Sequence, residues 1–167
     1  RHTRFKCDWS SDVCSSDLTS FNVGNNSLTS LTVTSNTALT DLNLESNNIS
    51  SLNLSTLTNL TTLYASNNAL TTLDISNNSN LVSIHATVNG MTSITMPNSV
   101  NITTSYLIDL ADNDLTQTSV NNILQKVDSY TTPSGTELTD KWINLRSEEH
   151  TSELQSHLNL VCRLLLE

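Results

Sequence analysis

Apolar residues return along this chain at a constant step of 21. Phe21, Leu42, Leu63 and Ile84 form one series and Leu31, Leu52, Leu73 and Ile94 another, offset from the first by 10. Each 21-residue unit therefore holds two similar halves, and a period of this length is the signature of a repeat architecture. The units run from Leu18 to Ala38, Leu39 to Asn59, Leu60 to Asn80 and Leu81 to Asn101. Further apolar columns follow the same step, among them Val23, Leu44, Ala65 and Ala86, and Leu28, Ile49, Leu70 and Met91. Within each half, Leu-x-Leu alternation has period two, which turns one set of side chains inward and predicts a short strand. A single such strand cannot bury its apolar side, whereas parallel copies stacked about 4.8 Å apart bury it against one another. The expected architecture is an α/β solenoid, mostly β, built of short stacked parallel strands.

Asparagine keeps the same step at Asn26, Asn47, Asn68 and Asn89, five residues after the first apolar residue of each leading strand, where the backbone turns. An amide side chain carries both donors and an acceptor, so stacked copies can satisfy backbone groups that would otherwise cost about 1–3 kcal/mol each when buried. The step then slips by three. Ile108, Leu110, Asn113 and Leu115 repeat the strand pattern, with Asn113 lying 24 residues after Asn89. Val120, Ile123, Leu124 and Val127 next follow the i, i+3, i+4, i+7 stripe of an amphipathic helix, which Thr116 or Thr118 can cap. Pro133-Ser134-Gly135 marks a turn and Lys141 to Leu145 alternates again, so a strand, helix and strand form one larger, helix-bearing C-terminal rung.

These units resemble bacterial leucine-rich repeats, specifically a nested 21-residue subtype whose halves are alike. The resemblance covers about residues 18 to 115 and is carried by stretches such as Asn36-Thr37-Ala38-Leu39-Thr40-Asp41-Leu42 and Ser66-Asn67-Asn68-Ala69-Leu70-Thr71-Thr72-Leu73-Asp74. Met91, Met96 and Pro97 depart from it in the fourth unit. The resemblance implies a non-catalytic binding module of a secreted or cell-surface protein, recognising a protein or glycan. Two other roles are compatible with the same pattern: a structural spacer in a surface or phage-like assembly, and the non-catalytic part of a larger enzyme.

The two ends of the chain read differently. Asp8 to Leu18 can be encoded by a DNA segment whose reverse complement encodes Arg146 to Ser156. One oligonucleotide, similar to a short-read sequencing adapter, accounts for both, and such segments are excluded from fold reasoning. Residues 1–18 and 146–167 are therefore expected to be adapter-like tails around a truncated repeat domain at 19–145, which sequencing the DNA across both junctions would check.

That division changes the chemistry available. Cys7, Cys14 and Cys162 and every arginine fall in the tails, so neither a disulfide nor a metal site is supported. Nine acidic residues face two lysines between Thr19 and Leu145, a net charge of −7 within the −9 of the whole chain. Phosphate binding depends on clustered lysine and arginine, so nucleic acid is disfavoured as a partner. No apolar run approaches the roughly 18 residues of a membrane span, so no membrane insertion is expected.

No cofactor is implied, and no catalytic residue stands out. His85 is the sole histidine between the tails and, lying between inward Ile84 and Ala86, faces outward in the column of Asn22, Asn43 and Tyr64. Nothing in the sequence places a nucleophile or an orienting partner beside it, so the chain is not expected to be an enzyme. Tyr64 is the more informative residue, because aromatics are scarce here and an exposed tyrosine offers rigid contact area with a polar tip. Asp41, Asn43, Glu45, Thr62, Tyr64, Ser83 and His85 form the candidate ligand-binding strip. Asn26, Asn47, Asn68, Asn89 and Asn113 form the candidate structural ladder.

Overall fold

A computed structural model describes residues 17–146, apart from 104, 132, 136, 137 and 139. Of the two tails expected to be adapter-like, all but Asp17, Leu18 and Arg146 lie outside the described residues. The elements are β1 (Ser20–Asn22), β2 (Asp41–Asn43), β3 (Thr62–Tyr64), β4 (Thr72–Asp74), β5 (Ser83–His85), β6 (Ser93–Thr95), β7 (Ser105–Asp109), α1 (Gln117–Ser129) and β8 (Asp140–Asn144). They form a mostly-β solenoid. The leading halves of the repeats build a six-stranded parallel sheet in the order β1-β2-β3-β5-β7-β8, and β4 and β6 pair in a second, two-stranded sheet.

Register follows the sequence period. Phe21 lies opposite Leu42, Leu42 opposite Leu63, Leu63 opposite Ile84, and Ile84 opposite Ile108, which makes one continuous inward column. The three-residue slip is absorbed between β5 and β7, so the pairing resumes in phase and the period-two alternation is preserved. Leu42, Leu63, Leu73 and Ile84 are buried, as are Leu44, Ala65 and Ala86 in the next column. In the first described coil, by contrast, Leu18, Phe21, Val23, Leu28 and Leu31 are only partly buried, because among the described residues each packs on one neighbouring coil rather than two.

The asparagine ladder forms at the turn that ends each leading strand. The Oδ1 atoms of Asn47, Asn68, Asn89 and Asn113 accept the amides of Leu28, Ile49, Leu70 and Met91 of the preceding coil at 3.0–3.1 Å. Each Nδ2 donates back across the coil boundary and to its own turn. Asn68 reaches the carbonyls of Leu44, Ala65 and Ser66, and Asn113 those of Ala86, Leu110 and Ala111. Asn26, at the exposed end, donates to Val23 and Gly24, and its Oδ1 receives no amide among the described residues.

The residue before each ladder asparagine adopts a left-handed backbone: Asn25, Ser46, Asn67, Val88 and Asp112 have φ of 53–58°. Asparagine and aspartate tolerate that region, whereas a β-branched side chain is strained by about 1–2 kcal/mol there. Val88 is also exposed, so no buried contact compensates. Val88→Asn is expected to stabilise the protein by about 1 kcal/mol in denaturant unfolding, and a lower midpoint would contradict this account of the turn.

Two expectations are modified. The alternation predicts a strand in both halves of every unit, yet in the trailing halves only β4 and β6 form. On that side of the first coils, side chains bridge instead of amides: Thr56 Oγ1 donates to the Thr34 carbonyl, and Asn59 Nδ2 to that of Thr37. In the helical stripe, Val120, Ile123 and Val127 are buried but Leu124 only partly so. Thr116 rather than Thr118 is the cap, accepting the Ser119 amide at 3.2 Å.

The helix-bearing rung closes through two tyrosines that periodicity does not single out. Tyr106 and Tyr130 are buried and meet edge to face, with centroids 5.6 Å apart. The Tyr130 hydroxyl donates to the Pro97 carbonyl at 2.7 Å, tying α1 to the irregular fourth unit. Burial raises the pKa of both phenols, assisted for Tyr106 by its neighbour.

Candidate functional site

Because alternate strand residues point out of the solenoid, the six-stranded sheet carries two outward columns. One runs Ser20, Asp41, Thr62, Ser83, Leu107 and Trp142; the other runs Asn22, Asn43, Tyr64, His85, Asp109 and Asn144. Six of the seven residues expected in a recognition strip lie on these columns. Glu45 lies two residues beyond β2, with its amide accepted by Asn43 Oδ1.

The second column contains a rule and an exception. Asn22, Asn43, Asp109 and Asn144 each accept the backbone amide two residues ahead, from Gly24, Glu45, Ala111 and Arg146, at 3.0–3.3 Å. This is the Asx turn, in which a short polar side chain satisfies the amide left over as the strand ends. Asn53 and Asp74 do the same on the other side of the solenoid, and Asp74 is held below the ordinary carboxylate pKa first by the Ser76 amide and then by the Ser76 hydroxyl. In the middle of the column, however, the Asx positions are taken by Tyr64 and His85. Neither ring makes this turn. The Thr87 amide is accepted instead by Ser66 Oγ of the preceding coil.

The two rings stack on one another, with centroids 5.0 Å apart and planes 12° from parallel. Each covers one face of the other, and Tyr64 is the more exposed of the pair. Tyr64 is 39% exposed, one of two large apolar side chains so exposed among the described residues. Ser83 Oγ lies 3.1 Å from His85 Nε2, a contact within one strand that fixes the tilt of the imidazole.

Sequence reasoning missed three residues of this face. Asp109 neighbours His85 because the three-residue slip is absorbed before β7, and Leu107 and Trp142, both half-buried, extend the first column with apolar surface. Their outward parity was available from the alternation around Ile108 and Ile143. Their alignment with Ser83 was not, since it depends on how the insertion and α1 are accommodated.

Among the described residues, no group of three or more metal-ligating side chains comes together. No helix among them is long and apolar enough to cross a membrane. Stacked parallel strands, inward leucine columns and an asparagine-lined turn make the chain a leucine-rich-repeat-like repeat protein. No protein-family model and no curated protein matches the chain. Among solved structures it is similar to the functional domain of InlJ from Listeria monocytogenes, described as including a cysteine ladder, at 19% identity and a TM-score of 0.44. The match covers 83% of this chain and 47% of that one, so this chain spans about half the length of that structure.

Proposed function

We propose that this protein is a non-catalytic recognition module that binds a protein or glycan with the outer face of its six-stranded sheet. The observation that carries this reading is the substitution of Tyr64 and His85 into a column otherwise occupied by Asx residues. Where the array needs only to stack, the position is filled by a side chain that caps the turn, a hydrogen bond worth about 0.5–1.5 kcal/mol. Giving up that cap for two stacked rings in the middle of the sheet has no structural requirement behind it. It does supply a rigid, partly exposed contact with polar tips, of the kind enriched where proteins are recognised. A pure spacer would lose nothing by keeping asparagine at both positions.

The proposal that the face is non-catalytic rests on how its polar groups are engaged. Ser83 and His85 are in contact, and Asp109 neighbours the histidine, but Asp109 Oδ1 is directed to the Ala111 amide of its own turn. The Ser83 amide donates to the Thr61 carbonyl within the sheet, so it is not offered to an oxyanion beside the hydroxyl. No cofactor, nucleic acid or membrane insertion is proposed. By its resemblance to bacterial 21-residue leucine-rich repeats, we assign the protein to the cell surface or the extracellular space.

Tyr64→Asn and His85→Asn separate binding from stability. Tyr64→Asn creates an Asx turn and abolishes the ring stacking; each is worth about 0.5–1.5 kcal/mol, so the two offset and the unfolding midpoint should move by no more than about 1 kcal/mol. Ligands captured by the parent protein from arrays of glycans and surface proteins should escape both variants. Undiminished capture by the two variants would show that the stacked pair is not the binding surface, and capture of nothing by the parent would favour the spacer.

A further inference from the structure

A second surface lies on the opposite side of the solenoid, where α1 passes beside β6 and leaves a cleft of about 660 Å³. Its chemistry is unlike that of the rest of the chain. No carboxylate lines it, although the whole chain carries a net charge of −9, and it contains Lys126, one of the two lysines between Thr19 and Leu145. Asn98 Oδ1 accepts a hydrogen bond from the Lys126 ammonium at 2.9 Å, which orients the charge in the cleft lining while leaving further N–H donors.

The walls are hydroxyls and amides. Ser93 and Thr95 come from β6, and Asn122 and Gln125 from the facing side of α1, all four exposed. Ile94 and Met96 also border the cleft, but each is only 7% exposed and belongs to the core. Ser119, only 5% exposed, also lines the cleft, and its Oγ is buried without a hydrogen-bond partner. No aromatic ring is present to stack on a base or other flat ligand.

We propose that this cleft binds a small polyhydroxylated ligand carrying one carboxylate, a uronic-acid type of sugar. A volume of this size suits one or two sugar rings, within the range of about 300–1,000 Å³ typical of small-molecule sites. Donors and acceptors on both walls match ring hydroxyls, and the single ammonium matches a single negative charge. The cleft and the Tyr64 surface are on different sheets, so this site is independent of the recognition face described above.

The test is an NMR titration of the labelled full chain with D-glucuronate, D-glucose and acetate as three separate probes. Glucuronate is expected to cause saturable shifts at the amides of Ser93, Thr95, Asn122 and Gln125, with glucose and acetate each at least about tenfold weaker. Lys126→Met should reduce glucuronate binding to the level of glucose and leave glucose itself unchanged. Asn122→Ala, at an exposed helical position, should weaken glucuronate and glucose alike. Acetate binding as well as glucuronate would reduce the site to a lone lysine and overturn the proposal. So would glucose binding as well as glucuronate, shifts confined to the opposite face, or no saturable shift with any probe.

Discussion

Leu63→Asp should leave no cooperative unfolding transition. Leu63 is fully buried at the centre of the inward column, between Leu42 on one side and Ile84 on the other. Removing the side chain forfeits about 1.5–3 kcal/mol of burial, and the introduced carboxylate has no cation within the stacked leucines to pair with. A buried unpaired charge costs several kcal/mol more after relaxation. Together these approach the whole stability of a domain, about 5–15 kcal/mol. The topology magnifies the loss. In a solenoid each rung is held mainly by its neighbours, so failure at β3 separates β1 and β2 from the rungs beyond, leaving short arrays with too little shared core. Circular dichroism during heating is the measurement. Leu63→Ala, expected to cost about 2–5 kcal/mol, should still melt cooperatively at a lower temperature, and a Leu63→Asp midpoint equal to that of the parent would refute the inward register.

Asn68→Ala should destabilise the protein by about 2–4 kcal/mol, far more than the same change at Asn26. The Asn68 side chain accepts one amide and donates to three carbonyls spanning two coils. Alanine would leave the Ile49 amide unpaired at a buried turn, at a cost of about 1–3 kcal/mol, and remove the bridging bonds, each worth about 0.5–1.5 kcal/mol net. Asn26 makes two local bonds at an exposed end, so its loss should cost less than about 1 kcal/mol. Denaturant midpoints of the two variants give the comparison directly. Equal losses would mean that the ladder contributes through local turn geometry alone, and not through coupling between coils.

The outer face of the six-stranded sheet is only partly legible in the sequence. Alternation alone puts Tyr64 and His85 outward and in register, because both depend only on a step that repeats without interruption from β2 to β5. What alternation does not show is that their positions are Asx turns elsewhere. The hydrogen bonds of Asn22, Asn43, Asp109 and Asn144 are needed before the two rings stand out as exceptions. The Ser83–His85 contact likewise depends on a ring orientation that the Tyr64 stack helps to set. Tyr106 shares the inward parity of Ile108 but lies outside the 21-residue columns, and Tyr130 follows no period; their edge-to-face contact forms only when the chain after α1 packs back against the fourth unit.

Sequence alone determined the solenoid, its inward columns and the asparagine turn, because in a repeat each of these depends on contacts between one unit and the next, and that relation is written as a constant spacing. Tertiary structure decided everything that follows the break in spacing: which residue of β7 faces His85, where Leu107 and Trp142 emerge, which trailing halves pair as strands, and that α1 leaves a carboxylate-free cleft beside β6. An insertion and a crossover helix can be accommodated in several ways, and the choice among them is made by packing against the completed array, which no local pattern encodes.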